Sequence, residues 1–197
     1  MQVEINTPFP RSLKDSLDRL KAMVQTNLLF DPQVKELLMS ILRILFDRKM
    51  MDTLKSFALV PNPQRKIHCF ELVCMFGDFD FLLLLLSVDE LHQLVDTRLF
   101  EKICKYSSYP ANSGKIKKVI EKLQHIIPPA TFAISAEREF IEAVYVNNYH
   151  LAIVLIDIPG VKPLSFNTIA CILMYRQNSM MLFQCLLNSG IYFFTLA

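Results

Sequence analysis

The residue types with the most reactive side chains here are cysteine and histidine, of which this 197-residue sequence has five and four. Their densest cluster consists of His68, Cys69 and Cys74. A structural zinc site combines two close pairs of ligands, and no second pair lies near this cluster in the sequence. Cysteines placed singly within apolar helical patterns are typical of buried free thiols in a reducing compartment. We therefore expect no metal site and no cofactor.

Cys104 is the candidate for a catalytic nucleophile, because His92 or His125 could act as its base if the fold brings them together. The surrounding sequence does not favour this chemistry. Cys104 follows Ile103 on the apolar side of a predicted helix, where burial disfavours the reactive thiolate. We expect a protein that is not an enzyme. The alternative is an enzyme of unrecognised class that uses Cys104 as its nucleophile.

Residues 112–116, with the sequence NSGKI, contain the Gly-Lys pair of a phosphate-binding loop. That loop also needs an earlier glycine and a hydroxyl side chain directly after the lysine, where this sequence has Ile116. The segment therefore indicates the turn at which a helix begins.

The main concentration of positive charge comprises six lysines: Lys102, Lys105, Lys115, Lys117, Lys118 and Lys122. Glu101 and Glu121 balance part of this charge. The simplest interpretation is a solvated helix face, and the alternative is an electrostatic dock for an acidic partner or an anionic lipid. Salt-dependent binding would distinguish the two. The net charge of the chain is only +2, which does not favour a nucleic-acid partner.

The composition favours helices joined by proline-containing turns, because the chain is 52% hydrophobic with four glycines and ten prolines. Strand patterns are almost absent. No apolar run approaches the roughly 20 residues of a membrane-spanning helix, so we expect no transmembrane segment. No secretory signal is visible, and we expect a cytoplasmic protein.

Residues 70–87, FELVCMFGDFDFLLLLLS, predict two short helices folded back on each other at Gly77 and Asp78. Residues 81–86 are apolar all round, so this hairpin needs neighbours of its own kind to cover it. We expect a charge at Leu84 or at Leu85 to unfold the protein.

Similar turns are predicted at regular intervals along the chain, near Lys49, Gly77, Gly114, Asn147 and Asn178. Their separations are 28, 37, 33 and 31 residues. These values lie close to the roughly 33-residue period of ankyrin arrays and the 34 residues of tetratricopeptide arrays.

Three stretches share one spacing: an apolar residue, two packed residues three and four positions later, a turn, two apolar residues and an apolar triplet. They start at Phe70, Phe140 and Cys171 and turn at Gly77, Asn147 and Asn178. This pattern resembles a highly diverged ankyrin array over residues 32–190, although the Thr-Pro-Leu-His start of that family is absent and residues 107–114 form an insertion. A different helical solenoid or an irregular bundle is the alternative.

The resemblance implies an all-α fold, a short solenoid of four to five ankyrin-like helical hairpins. Residues 1–31 would then form a lead-in and an amphipathic capping helix, and residues 32–197 the repeat domain. In such a unit the residues just before the turn line the binding groove, which assigns partner contacts to Met75, Phe76, Tyr145, Val146, Arg176 and Gln177, with Tyr109 on the inserted loop.

The resemblance also implies a non-catalytic protein–protein interaction module that binds another protein. Diverged arrays of this kind resemble effector or immune-evasion proteins of intracellular bacteria and large DNA viruses, which would place the protein in the cytoplasm of a host cell. The other interpretation is a regulatory subunit stabilised by another chain. The apolar C-terminus, residues 191–197, adds an expected site of self-association or partner contact.

Overall fold

The computed structural model describes residues 2–4, 11–24, 31–62, 64–107, 113–146 and 148–161. Within these ranges the chain is mostly helical, which confirms the helical class predicted from the sequence. The α-helices are α1 Arg11–Val24, α2 Pro32–Asp47, α3 Met51–Ser56, α4 Cys69–Met75, α5 Phe79–Leu85, α6 Thr97–Tyr106, α7 Ser113–Ile126, α8 Pro129–Tyr145 and α9 Tyr149–Ile156. A 3₁₀ helix spans Asp89–Leu94, and three short strands are β1 Gln2–Glu4, β2 Ala58–Asn62 and β3 Arg65–His68.

The chain divides into two compact units, Met1–Leu94 and Val95–Ala197. The first contains α1 to α5, the strands and the 3₁₀ helix, and the second contains α6 to α9. Each unit has its own buried apolar core.

In the first unit, α1 packs against α2 through apolar residues at helical spacing. Leu13, Leu17 and Leu20 are fully buried on α1, as the predicted amphipathic helix requires. The Asp31 side chain accepts a hydrogen bond of 2.8 Å from the Gln33 amide and so caps α2. Pro32 follows at the first helical position, where its missing N–H costs nothing.

A three-stranded antiparallel sheet in order β1-β2-β3 is the main feature that the sequence did not predict. Helix α3 ends at Ser56, and the apolar run that follows it forms β2. Leu59 then pairs with Val3 on one side and with Ile67 on the other. A short apolar run that is fully buried has the same appearance in a strand as in a helix, so periodicity could not separate them.

Three helical hairpins of the described chain, α2/α3, α4/α5 and α8/α9, share the same turn. In each, a backbone N–H bonds to the carbonyl five residues earlier: Met50 to Leu45 (2.9 Å), Asp78 to Val73 (3.2 Å) and Asn148 to Ala143 (2.8 Å). This is the Schellman arrangement, which needs a left-handed residue before the donor. Lys49 has φ 55° and Gly77 has φ 72°. The turns predicted near these two residues are therefore present.

Aligning the hairpins on Met50, Asp78 and Asn148 also aligns their buried residues. Five positions are buried in all three: Leu42, Phe70 and Phe140; Leu45, Val73 and Ala143; Thr53, Phe81 and Leu151; Leu54, Leu82 and Ala152; Phe57, Leu85 and Leu155. Two of the hairpins share one more hydrogen bond after the second helix. The Leu91 amide donates to the Val88 carbonyl after α5, and the Val161 amide donates to the Ile158 carbonyl after α9. The three hairpins thus share one turn and one pattern of buried positions.

The helix start predicted for residues 112–116 is present, because α7 begins at Ser113, and Gly114 itself lies in the first turn of that helix. No atom lies within 4 Å of where its side chain would be, so neither close packing nor a turn demands glycine there. Residues 89–106 form two helices, because Asp96 starts α6 as its cap and accepts a 2.9 Å hydrogen bond from the Leu99 amide.

The prediction that Leu84 is part of the core is wrong, whereas Leu85 is fully buried. Leu84 is 47% exposed because the side of α5 that packs against the core carries the other positions, which leaves Leu84 facing away. The buried positions of α5 are Phe79, Phe81, Leu82 and Leu85. A helix that is apolar all round is therefore covered on one side only.

We expect Leu85→Asp to unfold the first unit, because it buries a carboxylate without a partner at a cost of several kcal/mol. Leu84→Asp is the matched control one residue away, and its cost should be about 1 kcal/mol or less because its side chain reaches water. Thermal melting followed by circular dichroism measures both. Equal losses of stability in the two variants would show that the burial of α5 is misassigned.

Candidate functional site

The α8/α9 turn determines how two of the predicted partner-binding residues are presented. The Val146 amide bonds to the Glu142 carbonyl at 2.9 Å, and the Asn148 side chain caps α9 through the Leu151 amide at 3.2 Å. Tyr145 and Val146 lie between these two fixed points. Each is 53% exposed, and the two are adjacent in the chain.

Met75 and Phe76 occupy the equivalent positions before the α4/α5 turn, but they are half-buried. The Lys35 ammonium on α2 lies 5.8 Å from the centre of the Phe76 ring and covers part of it. This corner is therefore less open than the one at Tyr145.

Three further residues predicted to contact a partner, Tyr109, Arg176 and Gln177, lie outside the described residues. The apolar segment 191–197 and the predicted turn at Asn178 also lie outside them.

A cavity of about 510 Å³ opens in the second unit next to Val146, within the usual range of roughly 300 to 1,000 Å³ for binding pockets. Its floor is apolar and consists of Cys104, Ala143 and Leu151, all of which are nearly or fully buried. Charged side chains form its two walls: Glu101, Lys102 and Lys105 on α6, and Glu139 and Glu142 on α8. The structure thus brings Val146 and Cys104, two residues predicted for different functions, to one cavity.

An ion-pair network links the two walls of this cavity. Arg138 on α8 pairs with Glu101 on α6 and lies 3.5 Å from the Glu139 carboxylate. Partial burial raises the pKa of Glu139, and the positive charge of Arg138 opposes that rise. Arg138 is itself exposed, so this network orients the walls more than it stabilises the fold.

The surroundings of Cys104 disfavour a nucleophile. Burial raises the pKa of its thiol well above the usual value, and the negative charges of Glu139 and Glu101 raise it further. Of the two histidines predicted as bases, His125 is exposed on α7, and the His92 Nε2 atom lies 3.0 Å from the Leu86 carbonyl.

The cysteines near His68 are buried as well. Burial raises the pKa of Cys69 from 9.0 to about 12. Burial also raises the pKa of Cys74 well above its usual value. Within the described ranges, no three His, Cys, Asp or Glu side chains are grouped as a metal ion requires.

A second cavity, in the first unit, lies beside the α2/α3 turn and has a volume of about 760 Å³. Its lining is mostly charged: Phe46, Asp47, Lys49, Met51, Asp52, Lys55, Val88 and Glu90. Asp52 and Lys55 pair within it at 3.6 Å. None of the predicted site residues contributes to this cavity.

The sequence did not predict three residues of the cavity next to Val146: Glu139 and Glu142 in its acidic wall and Leu151 in its apolar floor. These residues belong to different helices, and no local motif joins them. It also missed Ile134, the most exposed large apolar side chain in the described chain at 71%. A single apolar residue on a helix with mixed composition gives no signal that distinguishes surface from core.

The chain matches no family model, no curated protein and no solved structure. Among the described helices, none is both long and apolar enough to cross a membrane.

We expect Cys69, Cys74 and Cys104 to be unreactive in the native protein, because raised thiol pKa values keep them protonated at mildly alkaline pH. The measurement is the number of thiols that an aromatic disulfide reagent labels, in a chain that carries Cys171→Ser and Cys185→Ser. All three should react after denaturation. Rapid labelling of Cys104 in the folded protein would instead favour the nucleophile.

Proposed function

We propose that this protein is a non-catalytic protein–protein interaction module, and that its partner docks at the corner formed by Tyr145 and Val146. The observation that carries the proposal is the exposure of these two adjacent large side chains, of which Val146 lines a cavity with an apolar floor. Sites at which a few apolar anchors enter a pocket provide most of the affinity in protein interfaces.

The cavity suits a partner that inserts one large apolar side chain. Contact with Cys104, Ala143 and Leu151 would bury that side chain, which contributes about 1.5 to 3 kcal/mol for a residue such as leucine or phenylalanine. The charged walls then act as the polar rim that is common around such pockets. Tyrosine is enriched at the centres of interfaces, which agrees with Tyr145 as an anchor.

The recurring turn supports an ankyrin-like array as the scaffold of this module. Three hairpins share a Schellman turn and five buried positions, and two of their donors, Asp78 and Asn148, are 70 residues apart, about twice the ankyrin period. Stacked hairpins of this kind would present the residues before each turn on one face. The role of an effector or immune-evasion protein in the cytoplasm of a host cell stays a prediction from the same resemblance.

The burial of Cys104 favours binding over the alternative of a cysteine-dependent enzyme. A regulatory subunit that depends on another chain would use the same exposed corner, so the binding experiment covers that interpretation too.

We expect the double variant Tyr145→Ala, Val146→Ala to lose its partner while keeping its melting temperature. The loss should be about 30-fold or more in affinity, since interface anchors cost 2 kcal/mol or more when truncated. The measurement is quantitative mass spectrometry of proteins retained by each variant from cell extract, followed by titration of the purified partner.

The matched control is Ile134→Ala, which removes a more exposed apolar side chain from α8 that does not line the cavity. It should bind as the unmodified protein does. Binding that survives the double variant but is lost with Ile134→Ala would place the interface elsewhere on α8 and contradict the proposed site.

A further inference from the structure

The structure separates the six lysines of the basic segment into two groups of three. Lys102, Lys105 and Lys115 each interact with another group of the protein. Lys117, Lys118 and Lys122, all on α7, are exposed, and within the described chain none of them forms an ion pair. Their charges are therefore available to an external ligand.

These three lysines lie on one side of α7, a surface that we call the lysine face. The opposite side is buried and consists of Ile116, Val119, Ile120 and Leu123. At about 100° per residue, Lys117, Lys118 and Lys122 fall within roughly 140° of the helix circumference. Gly114, on the same side, adds no side chain that would hinder the approach of a flat surface.

The net positive charge of α7 is larger than that of the whole chain. α7 carries four lysines and one glutamate, a net charge of +3, whereas the whole chain carries +2. The remainder of the protein is thus slightly acidic, and its positive potential is concentrated at α7.

The chemistry of the lysine face selects among anionic partners. The exposed positions Lys117, Lys118, Glu121, Lys122 and His125 include no Arg, Met, Tyr, Trp or Phe, and those are the types enriched in the cores of protein interfaces. Nucleic-acid binding surfaces commonly add arginine forks and several stacking rings to their charge, whereas this face has no arginine and a single ring, His125. Lysine ammonium groups act as point charges, which suits phosphate groups that can rearrange around them.

We propose that the lysine face docks the protein reversibly onto an anionic lipid surface, through phosphate-bearing and carboxylate-bearing headgroups. This inference goes beyond the proposed function, because it concerns a different helix and does not involve the Tyr145 corner. Each lysine near such a surface strengthens binding about fivefold, so the three together contribute on the order of 100-fold. The interaction weakens with salt, since the Debye length is only about 8 Å at physiological ionic strength.

The test is co-sedimentation of the full chain with vesicles of phosphatidylcholine, with and without phosphatidylserine, at low and at physiological salt. We expect binding to the vesicles that contain phosphatidylserine, weaker at higher salt, and none to phosphatidylcholine alone. The triple variant Lys117→Gln, Lys118→Gln, Lys122→Gln should lose about 100-fold of this affinity with an unchanged melting temperature. Glu121→Gln should strengthen binding, because it removes the negative charge from the face.

The matched control is Lys14→Gln, Arg19→Gln, Lys21→Gln, which removes the same charge from exposed positions of another amphipathic helix, α1. This variant should bind the anionic vesicles within a few-fold of the unmodified protein. An equal loss in the control would mean that only net charge matters and would overturn the proposal. So would equal binding to both vesicle types, or stronger binding at the same salt to duplex DNA or to polyglutamate.

Discussion

One backbone hydrogen bond fixes the geometry of three helical hairpins in this protein, the bond from an amide N–H to the carbonyl five residues earlier. At two of these turns the residue before the donor is left-handed, a conformation that Gly77 takes without strain and Lys49 at a cost of about 1 kcal/mol. Closure of this hydrogen bond makes the donor residue the cap of the next helix. In each hairpin three residues separate the first helix from the second, and the same positions of the second helix are buried.

The packing around the turn makes it a junction between elements. At the α4/α5 turn, Asp78 caps the Phe81 amide at 3.1 Å and pairs with Arg43 of α2, whose guanidinium lies 4.7 Å from the centre of the Phe81 ring. Phe46 adds an edge-to-face contact with the same ring at 5.7 Å. At the α8/α9 turn, Asn148 supplies the cap and lines the cavity instead. A turn of constant geometry therefore carries either a structural contact or an open site, depending on the neighbouring side chains.

The sequence predicts those features that depend on residues close to one another in the chain. The spacing of Phe70, Val73 and Cys74 and the turn at Gly77 were enough to locate the central hairpin, and the same spacing located the helices on both sides of Asn147. Features that depend on contacts between distant parts of the chain could not be predicted from the sequence. The sheet depends on pairing between Leu59 and Ile67, the exposure of Leu84 depends on which side of α5 is covered, and the cavity combines α6 with α8 and α9. Of the partner-binding residues predicted from the ankyrin resemblance, Tyr145 and Val146 lie at an open corner, whereas Phe76 is partly covered by Lys35.

Hydrogen exchange of individual backbone amides tests the common turn most directly. Met50, Asp78 and Asn148 each lie between two helices, at positions where amides in an ordinary loop exchange quickly. Because each of these amides donates to the carbonyl five residues earlier, we expect all three to exchange slowly, with protection similar to that of amides inside the flanking helices. Exchange of these amides at the rate of an unstructured chain, while the flanking helices stay protected, would contradict the common turn and the repeat that depends on it.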